Sequence, residues 1–567
     1  MDANAINLLD FIQGGEPFEI PIYQRAYSWE TKQCQKLWED ILSVGRSADE
    51  NLSHFIGAVI YTLDEDAEGR PKRFVIDGQQ RFATVMLLIE ALARSLNAGE
   101  TVGGLTATEL RRQYLYKPDE SGKRAYKLLL NKQDREALKA VLGGGESQGG
   151  VSRRIQENFE YYRSLIDGLA PLDSALKSAV FNGLRKLKIA AVELNLEHEN
   201  PQQIFENMNT KKRVLSKSDL IRNYVLLDME PDDQNELYRA HWRPMEEEFH
   251  QRTYAKDFDD FIRYYLAFKN RKMPVIKRLY DEFQDFMPDR IREYSPKKRA
   301  AAMKKVLADI QKFAGYYCAM KLGKERDLRL NAVFSDIQEL KANTLFPLLL
   351  GMYEDYASGG ILTAAQFEEA ARILESYVLR RAVCGISGGL NLSMPLLHSM
   401  IEPARYLDSV RQIFRTRSTS RRFPSDVEFK RMLWYGDMLS LAPCRYLLRK
   451  LEIHGAAEPL DLDNYGVECV MPQKPKNGDL SDEWKREIGA QWEDDHANFV
   501  HNLGNLTLIN ETGPSPHDPF PVKREAYRES PLWLNAIPGK AERWGAKAIR
   551  ERARVLAERA MEVWPMA

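Results

Sequence analysis

The spacing of apolar and polar positions changes character twice along the chain. In the first part, FIGAVIYTLDE, RFVIDG and KIAAVELNLE (residues 188–197) are short apolar runs closed by polar or glycine-bearing turns, which predicts three buried strands. FEIPIYQRAYSW (residues 18–29) alternates and is interrupted by proline, as at a strand edge or turn. TKQCQKLWEDILSV places Leu37, Ile41 and Val44 on one helical face, with Thr31 as the expected N-cap. A long apolar helix follows Gly78, and LGGGESQGG (residues 142–150) reads as a flexible loop. From about 226 to 421 the pattern is helical almost throughout: DDFIRYYLAFK, AAMKKVLADIQKFAGYYCAMKL and QFEEAARILESYVLRRAVCGI all carry three-and-four spacing. Beyond about 423, strand-like pieces return beside clustered His, Asn and Glu. The expected fold is therefore α+β and mostly helical, in three segments: 1–225, 226–422 and 423–567.

Length and charge narrow this only a little. At 567 residues the chain exceeds one core, and 44% apolar with 29% charged residues is ordinary globular composition. Lys plus Arg (81) balances Asp plus Glu (82), so any contact with nucleic acid has to use a local basic face. The five cysteines, Cys34, Cys318, Cys384, Cys444 and Cys469, show no CxxC spacing, so they are expected as free thiols in a reducing cytoplasm. No signal-like N-terminus and no run of eighteen apolar residues occur, so no membrane span is expected.

One junction carries chemistry. In RFVIDGQQRFATVMLLIEAL an apolar strand ends at Asp77-Gly78, and Gln79, Gln80 and Arg81 open a helix. A helix N-terminus offers unpaired N–H groups and a positive dipole end to a phosphate. Gly78 allows close approach, Arg81 adds a donor fork, and the glutamines can position polar atoms. Asp77 can hold Mg²⁺ through water or orient a nucleophile; the alternative is an Asp–Arg pair that braces the turn. IPIYQRAYSW repeats the theme. Tyr23 and Trp29 can stack on a base, Gln24 can bond its edge and Arg25 can take a phosphate; the alternative is a proline-led edge strand with a surface Arg.

IPIYQRAYSW, FIGAVIY, VIDGQQRFATVMLLIEAL and IFENMNTKKRVLSKSDLIRNYVL, in this order, resemble the N-terminal domain of GmrS/GmrD-type modification-dependent restriction proteins, which phosphorothioate-sensing SspE proteins share. ESYVLRRAVCGI fits the same family. The resemblance implies a ParB/sulfiredoxin-like domain that binds and hydrolyses a nucleotide. It implies nucleotide-site roles for Asp77, Gly78, Gln79, Gln80 and Arg81, and sensing roles around Tyr23, Gln24, Arg25 and Trp29. Lys211-Lys212-Arg213 depart from the family's glycine after Asn-Thr and read as a solvated turn, with added phosphate contacts as the alternative.

The last segment resembles the family's HNH domain, a ββα hairpin that cuts DNA with one metal ion. GNLTL supplies Asn505 for loop geometry, HDPF supplies His517, and Lys523 and Ser530 fit the tail. In ECVMP, Glu468 is present, but Cys469 stands where the family has its histidine. The resemblance implies Glu468 and His517 as metal ligands, and Cys469, His501, Asn505 and His517 as the catalytic set. A thiol is a poor general base near neutrality and a poor partner for Mg²⁺. Loss of the base costs on the order of 10²–10⁴ in rate unless His501 or His496 substitutes. Otherwise His496 reads as a surface helix residue.

The expectation is a cytoplasmic antiphage restriction protein: an NTPase sensor of modified DNA coupled to Mg²⁺-dependent nicking. The nucleotide (GTP, ATP or CTP), the modification and a homo-oligomeric partner are left open. The alternative is a nucleotide-gated DNA sensor with an inactive HNH domain that works through a partner.

Overall fold

A computed structural model describes residues 2–14, 16–21, 24, 26–65, 71–118, 124–143, 153–168, 174–194, 216–226, 229–249, 254–287, 291, 294–386, 394–456, 460–475 and 478–567. The fold is mostly helical with a mixed sheet, as the α+β pattern predicts. It divides into two compact units, Met1–Pro244 with Asp289–Leu307, and Met245–Pro288 with Ala308–Ala567. No described helix is long and apolar enough to cross a membrane.

Among the described residues the strands of the first unit are β1 (Asp2–Asn7), β2 (Phe18–Glu19), β3 (His54–Glu65), β4 (Pro71–Asp77), β5 (Tyr116–Pro118), β6 (Arg124–Tyr126), β7 (Leu128–Leu129) and β8 (Leu187–Glu193). Six of them form one sheet in the order β1-β8-β3-β4-β2-β7. The three expected strands are β3, β4 and β8. Strand β1 was not expected, because Ile6 is the one large apolar residue in DANAIN; it is held by antiparallel pairing with β8. Residues 142–150 and Lys211-Lys212-Arg213 fall largely or wholly outside the described residues.

The helix Gln79–Ser95 is buried almost all round, which is why its sequence reads as continuous apolar rather than one-faced. Its one buried acid, Glu90, is neutralised by Arg94 and Arg111, each with Nε at 2.8 Å. The helix Thr31–Gly45 buries Leu37, Ile41 and Val44, as its spacing requires. Its N-cap is Glu30 rather than Thr31: the Gln33 side chain reaches back to accept from the Glu30 N–H at 2.8 Å, a capping box one residue earlier.

The second unit holds the helices Leu328–Glu339, Ala364–Val383 and Cys444–Ile453, the hairpin β9 (Gly466–Cys469) and β10 (Leu506–Ile509), and the helix Phe520–Glu529. One apolar cluster runs from Leu379 and Val383 through Leu447 and Leu451 to Cys469, Leu506, Leu556 and Trp564. Buried charges cross the same helices. Asp336 accepts from Arg372 at 2.6 Å and Lys450 at 2.8 Å, while Glu375 accepts from Arg372 at 2.5 Å and Trp564 Nε1 at 2.9 Å.

Candidate functional site

The turn after β4 is built from backbone conformation first. Gly78 has φ +107°, and a Cβ there would meet Val59 Cγ2 at 3.0 Å, so glycine is favoured on both counts. As N-cap it brings no side-chain acceptor, so it does not itself satisfy the first-turn N–H groups. Arg81 points back over β3. It donates to the Ala58 carbonyl and stands 3.7 Å from Asp77, and both side chains keep partial solvent access. Gly57, at φ +113° in an irregular stretch of β3, makes the room: a Cβ there would lie 3.3 Å from the guanidinium. The Asp–Arg brace is therefore present.

Both glutamines are buried and engaged with the preceding segment. Gln80 Oε1 accepts from Ser28 N at 2.8 Å, and its Nε2 donates to the Ala26 carbonyl at 3.3 Å. Gln79 Nε2 donates to Gln24 Oε1 at 3.4 Å, and Gln24 Nε2 donates to the Ile76 carbonyl at 2.9 Å. Tyr27 hydroxyl meets Thr84 Oγ1 at 2.7 Å and accepts from Asn158 Nδ2 at 3.0 Å. Asn158 also donates to the Trp29 carbonyl at 2.8 Å, and the Trp29 ring packs on the core. The two glutamine-arginine elements thus come together through Gln24 and Gln79. Tyr23 and Arg25 lie outside the described residues.

At the hairpin, Cys469 pairs with Leu506 and Glu468 with Thr507 in antiparallel register. Asn505, fully buried, closes the loop with all its side-chain capacity. Its Oδ1 accepts from Met471 N (2.8 Å) and Trp544 Nε1 (3.0 Å); its Nδ2 donates to the Met471 and Val500 carbonyls (2.9 and 2.8 Å). Glu468 receives the ammonium of Lys523 at 2.7 Å, and the same ammonium donates to the Cys469 and Val470 carbonyls at 2.9 and 3.1 Å. Burial lowers the Lys523 pKa against the pull of Glu468. Burial, helped by the Glu468 carboxylate, pushes the Cys469 thiol up to about 11, so it is neutral near pH 7.

The histidines separate clearly. His496 is buried, not on a helix surface: its Nε2 lies 2.9 Å from the Pro472 carbonyl, and burial lowers its pKa. His517 is exposed in the approach to the helix Phe520–Glu529. His501 Nδ1 lies 3.0 Å from Asp437 Oδ2. Ser530 Oγ accepts from Asn535 Nδ2 at 2.8 Å. Asp437 gives no signal in the sequence: it lies 64 residues before His501, and no local motif links them.

A divalent cation does not suit this donor set as arranged. Glu468 is already neutralised by a buried ammonium, and Cys469 is a protonated soft ligand. Among the described residues no three His, Cys, Asp or Glu side chains converge as an ion's ligands would.

Residues 6–226 match the family described as GmrSD restriction endonuclease, N-terminal domain. Residues 423–559 match GmrSD restriction endonucleases, C-terminal domain. Together these stretches take in more than half of the chain. Among curated proteins, none is similar enough to count as a match.

Proposed function

The chain belongs to the GmrSD restriction endonucleases, and from that premise we propose that it restricts modified DNA through a nucleotide-binding N-terminal domain and a DNA-nicking C-terminal hairpin. The reading rests chiefly on the hydrogen bond between Gln79 and Gln24. A phosphate held at the Gly78 turn by first-turn N–H groups and Arg81 would press on the same glutamine pair that fixes the segment before Trp29. Nucleotide occupancy and contact with a modified base or backbone would then act on one hydrogen-bonded body. In this reading Tyr23, Gln24, Arg25 and Trp29 belong to the segment that senses the modification. Asp77, Gln79, Gln80 and Arg81 serve the nucleotide.

A second reading makes the protein a nucleotide-gated DNA sensor with a silent hairpin that works through a partner. The neutral thiol of Cys469 and the Glu468–Lys523 pair favour it.

One panel decides between them. Supercoiled plasmid, plain or bearing glucosylated bases or phosphorothioate links, is incubated with the protein and GTP, ATP or CTP, with Mg²⁺ or EDTA. Nicking of a modified plasmid with nucleotide turnover supports the first reading; turnover without nicking supports the second. Arg81→Ala and Asp77→Ala should each weaken nucleotide binding at least tenfold. Unchanged binding in both would remove the Gly78 turn from the nucleotide site.

A further inference from the structure

Four histidines lie between 423 and 567, and each has a different setting. His496 is buried against a carbonyl. His454 pairs with Glu562, a 71% exposed side chain on the C-terminal helix. His517 is exposed and forms no ion pair among the described residues. His501 alone of the four combines an acid partner with a place at the entry to β10.

Its setting is fixed on both sides. The His501 carbonyl accepts from Met438 N at 2.9 Å, and Asp437 bridges to Asn502 in antiparallel fashion. Asn502 is buried; its Nδ2 donates to the Trp434 carbonyl at 2.7 Å, and its Oδ1 accepts from Gly504 N at 2.9 Å. Asp437 is held in turn by Ser440, whose N–H and hydroxyl reach its two oxygens at 3.0 and 2.7 Å. Burial raises the carboxyl of Asp437, but Ser440 and His501 outweigh it and keep it below the usual carboxylate range. The Val500 carbonyl, one residue before His501, accepts from Asn505 Nδ2 at 2.8 Å, so His501 adjoins the loop that Asn505 closes.

A carboxylate can only accept, so Nδ1 of His501 carries the hydrogen and donates to Asp437. In the neutral ring that leaves the lone pair on Nε2, which forms no hydrogen bond among the described residues, on a side chain 34% exposed. An imidazole anchored through one nitrogen with the other open is the arrangement a general base requires.

We propose that His501 is the general base of the C-terminal hairpin and that Asp437 is its positioning residue. The proposal rests on the reading that this hairpin nicks DNA. Nε2 takes a proton from water, the water oxygen bonds to phosphorus, and one phosphorus–oxygen ester bond breaks. The departing oxygen takes a proton from solvent, and the imidazolium returns its own. The step is a hydrolysis and uses no other reactant.

The test uses the full chain and the modified plasmids described above. His501→Ala should lower kcat for nicking by about 10²- to 10⁴-fold with KM little changed. Added imidazole should restore part of the rate. Asp437→Asn should lower kcat at least tenfold, with Asp437→Glu falling between Asn and wild type. Wild-type nicking by His501→Ala, or by His501→Gln when imidazole fails to rescue the alanine variant, would overturn the proposal while the restriction reading stands. A wild-type protein that cannot nick, beside a Cys469→His variant that can, would overturn it in the same way. If neither nicks any plasmid, the reading of a nicking hairpin falls as well.

Discussion

Lys523 has 0% side-chain exposure, and its ammonium is surrounded by the Glu468 carboxylate and two carbonyl oxygens. Removing one partner of a buried pair strands the other charge, which costs about 3–5 kcal/mol. Lys523→Met should therefore lower the free energy of unfolding of the second unit by that amount in a urea titration. Lys523→Met combined with Glu468→Gln should recover part of it. A loss under about 1 kcal/mol in the single variant would mean that Glu468 finds water on its own. Gly78→Ala tests the first site at the same scale. With φ at +107° and Val59 Cγ2 at 3.0 Å, the added methyl should cost roughly 1–2 kcal/mol or more. No change in melting temperature would show that the turn relaxes. At this scale the sequence showed which residue types meet at each site. It did not show that Gln79 and Gln80 hold the segment before Trp29, because that depends on a contact more than fifty residues away.

Among the elements, the link between β6 and β7 carries a titratable anchor. Lys127 is buried, and its ammonium donates to the Ile12 and Gln13 carbonyls at 3.0 and 3.2 Å, at the C-terminal end of the helix Leu8–Gln13. Burial lowers its pKa from 10.5 to about 8. Between these values the unfolded chain binds more protons than the folded one, so raising the pH favours folding. Lys127 therefore contributes a rise in stability from about pH 8 to about pH 10, lost again as the pH falls through 8. Lys127→Met should flatten the denaturant midpoint across that window; an unaltered pH slope would refute the assignment. Periodicity identified β3, β4 and β8 because their apolar runs are buried. It missed β1, whose place is set by hydrogen bonds to β8 rather than by its own side chains. It also put a cap one residue late, since Thr31 and Glu30 both present oxygen near the first turn.

At the scale of the whole molecule, the matched C-terminal region starts at 423, but the physical unit starts earlier. Leu379 and Val383 share a core with Leu447, Leu556 and Trp564. Glu375 is buried against Arg372, Tyr446 and Trp564, and Arg380, fully buried, donates to the Trp564 and Pro424 carbonyls at 2.8 and 3.2 Å. The motif ESYVLRRAVCGI thus packs into the core of the C-terminal segment. A fragment of residues 423–567 should give a non-cooperative thermal transition and be cut rapidly by trypsin, whereas the full chain resists. A sharp melt of the isolated fragment would show that the helix Ala364–Val383 is dispensable.

What the sequence determined alone is whatever depends on neighbours along the chain: the strand-to-helix turn at Gly78, the buried helix after it, the helical middle, and the hairpin motif around Asn505. Short-range patterns report local geometry and burial, so these could be read without coordinates. Tertiary structure alone decided which polar groups are spent and which remain open. It joined Gln79 to Gln24, gave Glu468 to Lys523, buried His496, and set Asp437 against His501. Hydrogen bonds and ion pairs depend on distances between distant segments being right to within a few tenths of an ångström, and residue types and spacing do not contain those distances.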